Sequence, residues 1–155
     1  MPTLNTILNT PLSLYSIPVM YIMTFYPHTM KFLSIDKLVG FNNTLPRSNN
    51  PKNLTGKVPA KTLVHWQRLE GAHQNGNEAN PLWMAAVLAG NFAGLETRWL
   101  NIMAASYLAS RLGYNFTYIY FNNVANGWLR TVLFFSGLSI PLRILFKAAG
   151  VVANK

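Results

Sequence analysis

The densest run of polar side chains in the sequence lies between Arg68 and Pro81, immediately before the apolar stretch 82–95. At about 100° per residue, one face of a helix would carry Arg68, Asn75 and Glu78 together with small residues. Polar groups at membrane depth must find partners within the protein, because lipid offers none. The pattern therefore indicates either a polar lock between helices or a binding site, and both interpretations stay open.

A second polar stripe recurs at helical spacing in the next apolar region: Arg111, Tyr114, Asn115, Tyr118 and Asn122. Arg111 would be costly near the middle of a membrane span unless it is paired, and Glu78 is the expected partner. A buried pair of this kind would hold two helices in register. Alternatively, the arginine and the tyrosine hydroxyls would form a cationic pocket for an anionic ligand.

Arg130 begins the last apolar region, and two roles are open for it. An arginine at a membrane interface commonly extends its charged end to the lipid head groups. Alternatively, its charge would be directed at a thiolate or carboxylate bound near the membrane surface. The chain has no cysteine, and its three histidines lack the spacing of metal ligands. We therefore predict no metal site and no disulfide.

The composition indicates that these polar residues belong to a membrane protein. Only 11% of residues are charged and 50% are hydrophobic, whereas soluble domains have about 25% charged residues. Four stretches contain no Asp, Glu, Lys or Arg: 1–30, 79–95, 112–129 and 131–142. Apolar helices of roughly 20 residues match a hydrocarbon core about 30 Å thick. We therefore predict an all-α fold, a left-handed four-helix bundle integral to the membrane.

The 155 residues are expected to form one domain with four membrane spans, near 12–30, 67–95, 99–121 and 128–146. Pro18 and Pro27 predict kinks in the first span. A basic polar loop is predicted over 31–66. The segment 31–68 carries seven basic residues and one acidic residue, which is +6 of the formal net charge of +9. The positive-inside rule places this loop in the cytosol and both termini on the opposite side.

The basic balance does not by itself indicate nucleic-acid binding, which needs clustered Lys and Arg on a soluble fold. Attraction of the loop to anionic lipid head groups explains the excess charge more simply. We therefore predict the lipid bilayer as a partner and no nucleic acid. A soluble, basic, helical protein remains as an alternative to the membrane protein.

The residues also resemble a known family. The block Arg68-x-x-x-Ala72-His73-Gln74-Asn75-Gly76-x-Glu78-x-x-Pro81 resembles the signature of the MAPEG family, the membrane-associated proteins in eicosanoid and glutathione metabolism. Other segments are similar to the family in the same order: 12–27, Pro46-Arg47, Arg111-x-x-Tyr114-x-x-x-Tyr118 and 130–137. The likeness is closest to the microbial and fungal members.

The resemblance implies a four-helix bundle that assembles as a homotrimer and binds glutathione at subunit interfaces near the cytosolic face. Carried over by position, five residues would hold glutathione: Asn75, Glu78, Arg111, Tyr114 and Tyr118. Arg130 would stabilise the glutathione thiolate as the catalytic residue. Glutathione-using members carry an arginine at the position of Gly71, and Arg68, one turn earlier on the same face, would bind glutathione in its place.

The implied activity is that of a membrane-bound glutathione transferase or peroxidase, which activates the glutathione thiol toward lipophilic electrophiles. The alternative is a non-catalytic member of the same fold that acts as a membrane scaffold or lipid-binding protein. The resemblance also implies a multi-pass protein of the endoplasmic reticulum or another endomembrane, if the source is eukaryotic.

Overall fold

The computed structural model of the chain describes residues 9–121 and 123–154, apart from the side chains of 124–126. Within these ranges the chain forms four long α-helices and no strand. The helices are α1 (Ser16–Val39), α2 (Ala60–Phe92), α3 (Thr97–Tyr120) and α4 (Val124–Ala153). The predicted all-α four-helix bundle is confirmed.

The connection between α1 and α2 is shorter than the loop predicted over 31–66. Helix α1 continues to Val39 and α2 already begins at Ala60. The two ends of the predicted loop, 31–39 and 60–66, are therefore helical. These helical ends expose Lys37 and Lys61 on one side while burying Ile35 and Trp66 on the other, so their average polarity resembled that of a loop.

Two apolar cores hold the helices together. In the larger core, Trp83 of α2 stacks on Tyr107 of α3 with 3.9 Å between ring centroids. Met20 of α1 and Ile144 of α4 belong to the same core, so all four helices contribute to it. The smaller core lies at the opposite end of α2 and contains Ile35, Leu54, Trp66, Leu69, Ala72 and Ile119. These cores fix the rotation of α2 and α3, whose polar stripes must then face each other or the surface.

Helix α1 is continuous through both of its prolines. Pro18 lies in the first turn, where a backbone N–H would have no acceptor within the helix. The N–H that proline lacks therefore costs no helical hydrogen bond at this position. Pro27 lies inside the helix, so the carbonyl of Met23 loses the N–H that residue 27 would otherwise donate. The side-chain amide of Asn115, on α3, donates to this carbonyl at 3.2 Å. Asn115 therefore supplies the hydrogen bond that Pro27 removes from α1.

One described helix is long and apolar enough to cross a membrane by length and composition, namely the segment Gly127–Ala153 of α4, with a mean hydropathy of 1.6. Large apolar side chains are nevertheless exposed on every helix, including Ile22, Phe92, Leu112, Phe135 and Phe146. Soluble monomers rarely expose apolar surface so widely. The four membrane spans and their orientation stay predictions.

We predict that Asn115→Ala lowers the free energy of unfolding by about 1–3 kcal/mol, because it leaves the Met23 carbonyl without a donor. The loss should be clearly smaller in a Pro27→Ala background, where residue 27 regains an N–H. A double-mutant cycle of unfolding in detergent measures this coupling. Equal losses in the two backgrounds would show that Asn115 does not compensate for Pro27.

Candidate functional site

A cavity of about 120 Å³ lies where α2, α3 and α4 meet. Helix α2 lines it with Asn75 and Glu78, and α3 lines it with Tyr107 and Arg111. Helix α4 contributes the apolar side chain of Phe134. Asn75 and Glu78 of the first predicted stripe therefore share one cavity with Arg111 of the second.

Arg111 is the central charged group of this cavity and is only 4% exposed. Its guanidinium donates a hydrogen bond to Oδ1 of Asn75 at 2.9 Å. It also lies against the ring of Tyr114, with 4.8 Å between Cζ and the ring centroid. Its Nε is buried without a hydrogen-bond partner among the described residues. A buried guanidinium that retains an unused donor is a group that an anion could satisfy.

The predicted ion pair between Arg111 and Glu78 does not form. Within the described part of the chain, the one salt bridge joins Lys31 to Glu70. Asn75 reaches the guanidinium from nearly one turn earlier on the same face of α2, whereas Glu78 lies exposed at the edge of the cavity. The positive charge of Arg111 is therefore not neutralised by a direct carboxylate contact.

A row of aromatic rings connects Arg111 to a second arginine. The rings of Tyr114 and Tyr118 lie 5.7 Å apart, and Cζ of Arg130 lies 4.7 Å from the centroid of the Tyr118 ring. Stacking on an aromatic face holds a guanidinium in place while leaving its N–H groups free to donate. Arg130 is thereby held on the side of the tyrosine row that faces α4.

Gly71 leaves the space that Tyr118 occupies. A Cβ at position 71 would lie 2.9 Å from Cζ of Tyr118 and closer still to its hydroxyl. The space beside position 71 is therefore filled by the tyrosine of α3. The ring of Tyr118 can lie this close to α2 because Gly71 has no side chain.

Arg68 lies apart from the cavity, although the sequence places it on the same stripe. Its guanidinium donates to the backbone carbonyls of Tyr118, at 3.3 Å, and Phe121. These are terminal carbonyls of α3, where a cation is also favoured by the helix dipole. Asn115 likewise faces α1 rather than the cavity, and Asn122 lies outside the described residues.

The other side of the α2 polar block locks α2 to α1. His73 donates from Nδ1 to the carbonyl of Thr24 at 2.9 Å, and Asn77 donates to Nε2 of the same ring at 3.1 Å. Lys31 and Glu70 form their salt bridge on this side. The polar block of α2 therefore contains both a polar lock and a candidate binding site. The lock faces α1, and the candidate site faces α3 and α4.

The sequence did not indicate Tyr107, Phe134, Gly137 and Pro141, which also line the cavity. Tyr107 lies four residues before Arg111 and therefore on the same face of α3, so the helical period could have identified it. The residues of α4 carry no such signal, because apolar side chains that line a site resemble those that line a core. Among the described residues no group of His, Asp or Glu is arranged to hold a metal ion.

We predict that Gly71→Ala destabilises the protein by about 1–3 kcal/mol, because the new Cβ overlaps the packed Tyr118 ring. Gly113→Ala is the matched control, since its Cβ would make an ordinary contact with Leu133 at 3.7 Å. Unfolding in detergent measures both variants. The Gly71→Ala penalty should shrink in a Tyr118→Leu background, and an unchanged penalty there would contradict the proposed overlap.

Comparison with known proteins gives one positive result. The chain matches the model of the MAPEG family over residues 13–150, a range that includes α1 from its first residue, all of α2 and α3, and most of α4. No curated protein and no solved structure shows a significant match. The family match contains every residue of the cavity described above, and the expected resemblance is confirmed. This chain belongs to the MAPEG family, the membrane-associated proteins in eicosanoid and glutathione metabolism.

Proposed function

We propose that this protein is a membrane-bound glutathione transferase or peroxidase that acts on lipophilic electrophiles. The observation that carries the proposal is the buried guanidinium of Arg111, which lines a cavity and has no direct carboxylate partner within the described residues. A buried, uncompensated cation is costly in a protein interior. An anionic ligand would remove that cost, and family membership makes glutathione the anion to test first.

The polar groups of the cavity and of the adjoining tyrosine row match those of glutathione. Glutathione carries two carboxylates, one ammonium group and one thiol. Arg111 and Arg130 would offer two guanidinium groups for its anionic groups, and Glu78 would accept from the ammonium group. The hydroxyls of Tyr114 and Tyr118 would act as further donors. The set thus offers guanidinium groups to anionic groups of glutathione and a carboxylate to its ammonium group.

The size of the cavity bears on the predicted homotrimer. Its volume is about 120 Å³, whereas pockets that enclose small molecules usually measure about 300–1,000 Å³. A single chain would therefore enclose only part of the tripeptide. The remainder would extend past the exposed Glu78, where a neighbouring subunit would cover it. We propose on this basis that the site is completed between subunits.

Arg130 would favour the ionised form of the bound thiol. A thiol with a pKa of about 8.5 is mostly protonated at neutral pH, and a hundredfold gain in the ionised form requires about 2.7 kcal/mol. A guanidinium about 4 Å away can supply about that much at an intermediate dielectric constant. The sulfur would then form a bond to the electrophilic carbon, while the leaving group departs with the electron pair of the broken bond.

In the peroxidase reaction, two glutathione molecules would reduce one lipid hydroperoxide to an alcohol and water. The two sulfur atoms are joined in a disulfide, and their two electrons are transferred to the peroxide O–O bond. In either reaction, the role of this chain is the same: Arg111 and the tyrosine row would hold the tripeptide, and Arg130 would hold the reactive sulfur.

One observation favours the non-catalytic alternative. The hydrogen bond from Arg111 to Asn75 joins α3 to α2, so this arginine would stabilise the bundle even without a ligand. In that case the protein would be a membrane scaffold or lipid-binding member of the family. The two functions differ in whether glutathione binds, which can be measured directly.

We predict that glutathione raises the thermal unfolding midpoint of the purified protein in detergent, because ligand at about 100 times its Kd adds about 2.7 kcal/mol of stability. Arg111→Ala should abolish this shift. Arg143→Ala is the matched control, since Arg143 is an exposed arginine of α4 outside the cavity, and it should keep the full shift. Absence of any shift in the wild type would leave the scaffold function as the better account.

We predict a different result for Arg130→Ala. Because Arg130 would act on the thiolate more than on the rest of the tripeptide, the variant should keep most of the glutathione-dependent shift. Its kcat for conjugation of a generic lipophilic electrophile should fall by about 10²–10³, the usual cost of removing one donor to a developing anion. A loss of affinity with unchanged kcat would assign Arg130 to binding alone.

A further inference from the structure

We propose that the groove between α1 and α3, together with a cationic pocket at its end, binds an anionic phospholipid of the surrounding bilayer. The proposal does not depend on glutathione chemistry, because both parts of this lipid site lie apart from the cavity at Arg111. It depends on two adjoining surfaces of opposite character, one apolar and one positively charged.

The apolar part is a groove with a volume of about 460 Å³. Ile22 and Met23 of α1 form one wall, and Leu112 and Phe116 of α3 form the other. These side chains are well exposed, with Ile22 at 67% and Leu112 at 63% of their accessible surface. An open groove of this composition accepts a hydrocarbon chain, which needs apolar contact and no hydrogen bonds.

The charged part is a pocket of about 350 Å³ near the start of α2. Lys61, His65 and Arg68 line it from one face of the helix, at positions i, i+4 and i+7. No carboxylate lines the pocket, and the salt bridge found among the described residues lies elsewhere, between Lys31 and Glu70. Such a cluster is complementary to a phosphate group.

The two parts are continuous, because Ile119 and Tyr120 line both of them. From Leu112 to Tyr120 the groove follows α3 for about 12 Å at 1.5 Å per residue. The pocket is held in place by Arg68, whose hydrogen bonds to the backbone carbonyls of Tyr118 and Phe121 join α2 to the end of α3. One amphiphile, with its chain in the groove and its anionic head beside Lys61, would satisfy both surfaces at once.

The charge balance of the protein argues against a second copy of the chain as the occupant. The sequence has 13 basic residues and 4 acidic residues, and one of those acids, Glu70, is already paired with Lys31. A neighbouring copy would therefore bring mainly further positive charge to the pocket. An anionic lipid of the bilayer brings both the negative charge and the hydrocarbon chain.

The test uses the full-length protein, purified in a non-ionic detergent and stripped of lipid. Its thermal unfolding midpoint is measured with phosphatidylglycerol, with phosphatidylcholine carrying the same acyl chains, and with glycerol 3-phosphate. Phosphatidylglycerol should raise the midpoint by about 5–10 °C near saturation, and the other two should raise it much less. An equal effect of phosphatidylcholine would overturn recognition of the head group, and an equal effect of glycerol 3-phosphate would overturn the role of the groove.

Variants locate the effect on the protein. Lys61→Gln should remove most of the phosphatidylglycerol shift. The control is Lys57→Gln, which likewise removes one positive charge, from an exposed lysine in the connection between α1 and α2, and should keep the shift. Equal losses in the two variants would mean that only net charge matters, and this would overturn the site.

The groove is tested in the same way. Leu112→Ser should reduce the phosphatidylglycerol shift, whereas Phe135→Ser, an exposed apolar residue on α4, should not. The mass of the protein–detergent complex is measured alongside. If Leu112→Ser instead changes the oligomeric state and leaves the lipid response intact, the groove is an interface between copies and the proposal fails. The comparison of lipids in the wild type decides the question even if a variant does not fold.

Discussion

Polar groups buried between the helices of this protein must find their partners on other helices, and this requirement connects the fold to the candidate site. In the interior of a helix bundle, a polar group without a hydrogen-bond partner costs free energy because it has lost its contact with water. Arg111 shows the consequence most clearly, because it is buried, held by one amide from α2 and supported by the Tyr114 ring. The part of its hydrogen-bonding capacity that remains unused is what makes the cavity a candidate binding site.

The same requirement explains how one polar block on α2 serves two purposes. Successive residues of a helix point in different directions, so His73 and Glu70 meet α1 while Asn75 meets α3. The contacts with α1 pair both ring nitrogens of His73 and join Glu70 to Lys31, and they hold the two helices together. The contact with α3 leaves a guanidinium donor unused. The locking contacts and the candidate site are therefore separated by direction around a single helix, which is why the choice between the two interpretations could not be made from the sequence pattern.

The helical period of the sequence predicted some features of the site and missed others. The helical period correctly grouped Asn75 and Glu78 on one cavity wall, and it grouped Arg111 with Tyr114 and Tyr118. It failed for Arg68, because the end of α3 lies within reach of that guanidinium and its free carbonyls attract it. The helical period describes which residues of one helix share a face. The nearest hydrogen-bond partner of a side chain also depends on where a neighbouring helix ends.

Composition and helical period are local properties, so they were enough to predict an apolar, all-α protein with two polar stripes and no cysteine. The same residues carried enough of the family pattern for membership to be recognised. Three contacts became visible only in the folded chain: Asn75 rather than Glu78 bonds to Arg111, Tyr118 fills the space over Gly71, and Asn115 satisfies the carbonyl freed by Pro27. Each of these contacts joins residues far apart in the chain, and their distances depend on how the helices rotate and cross to bury their apolar faces.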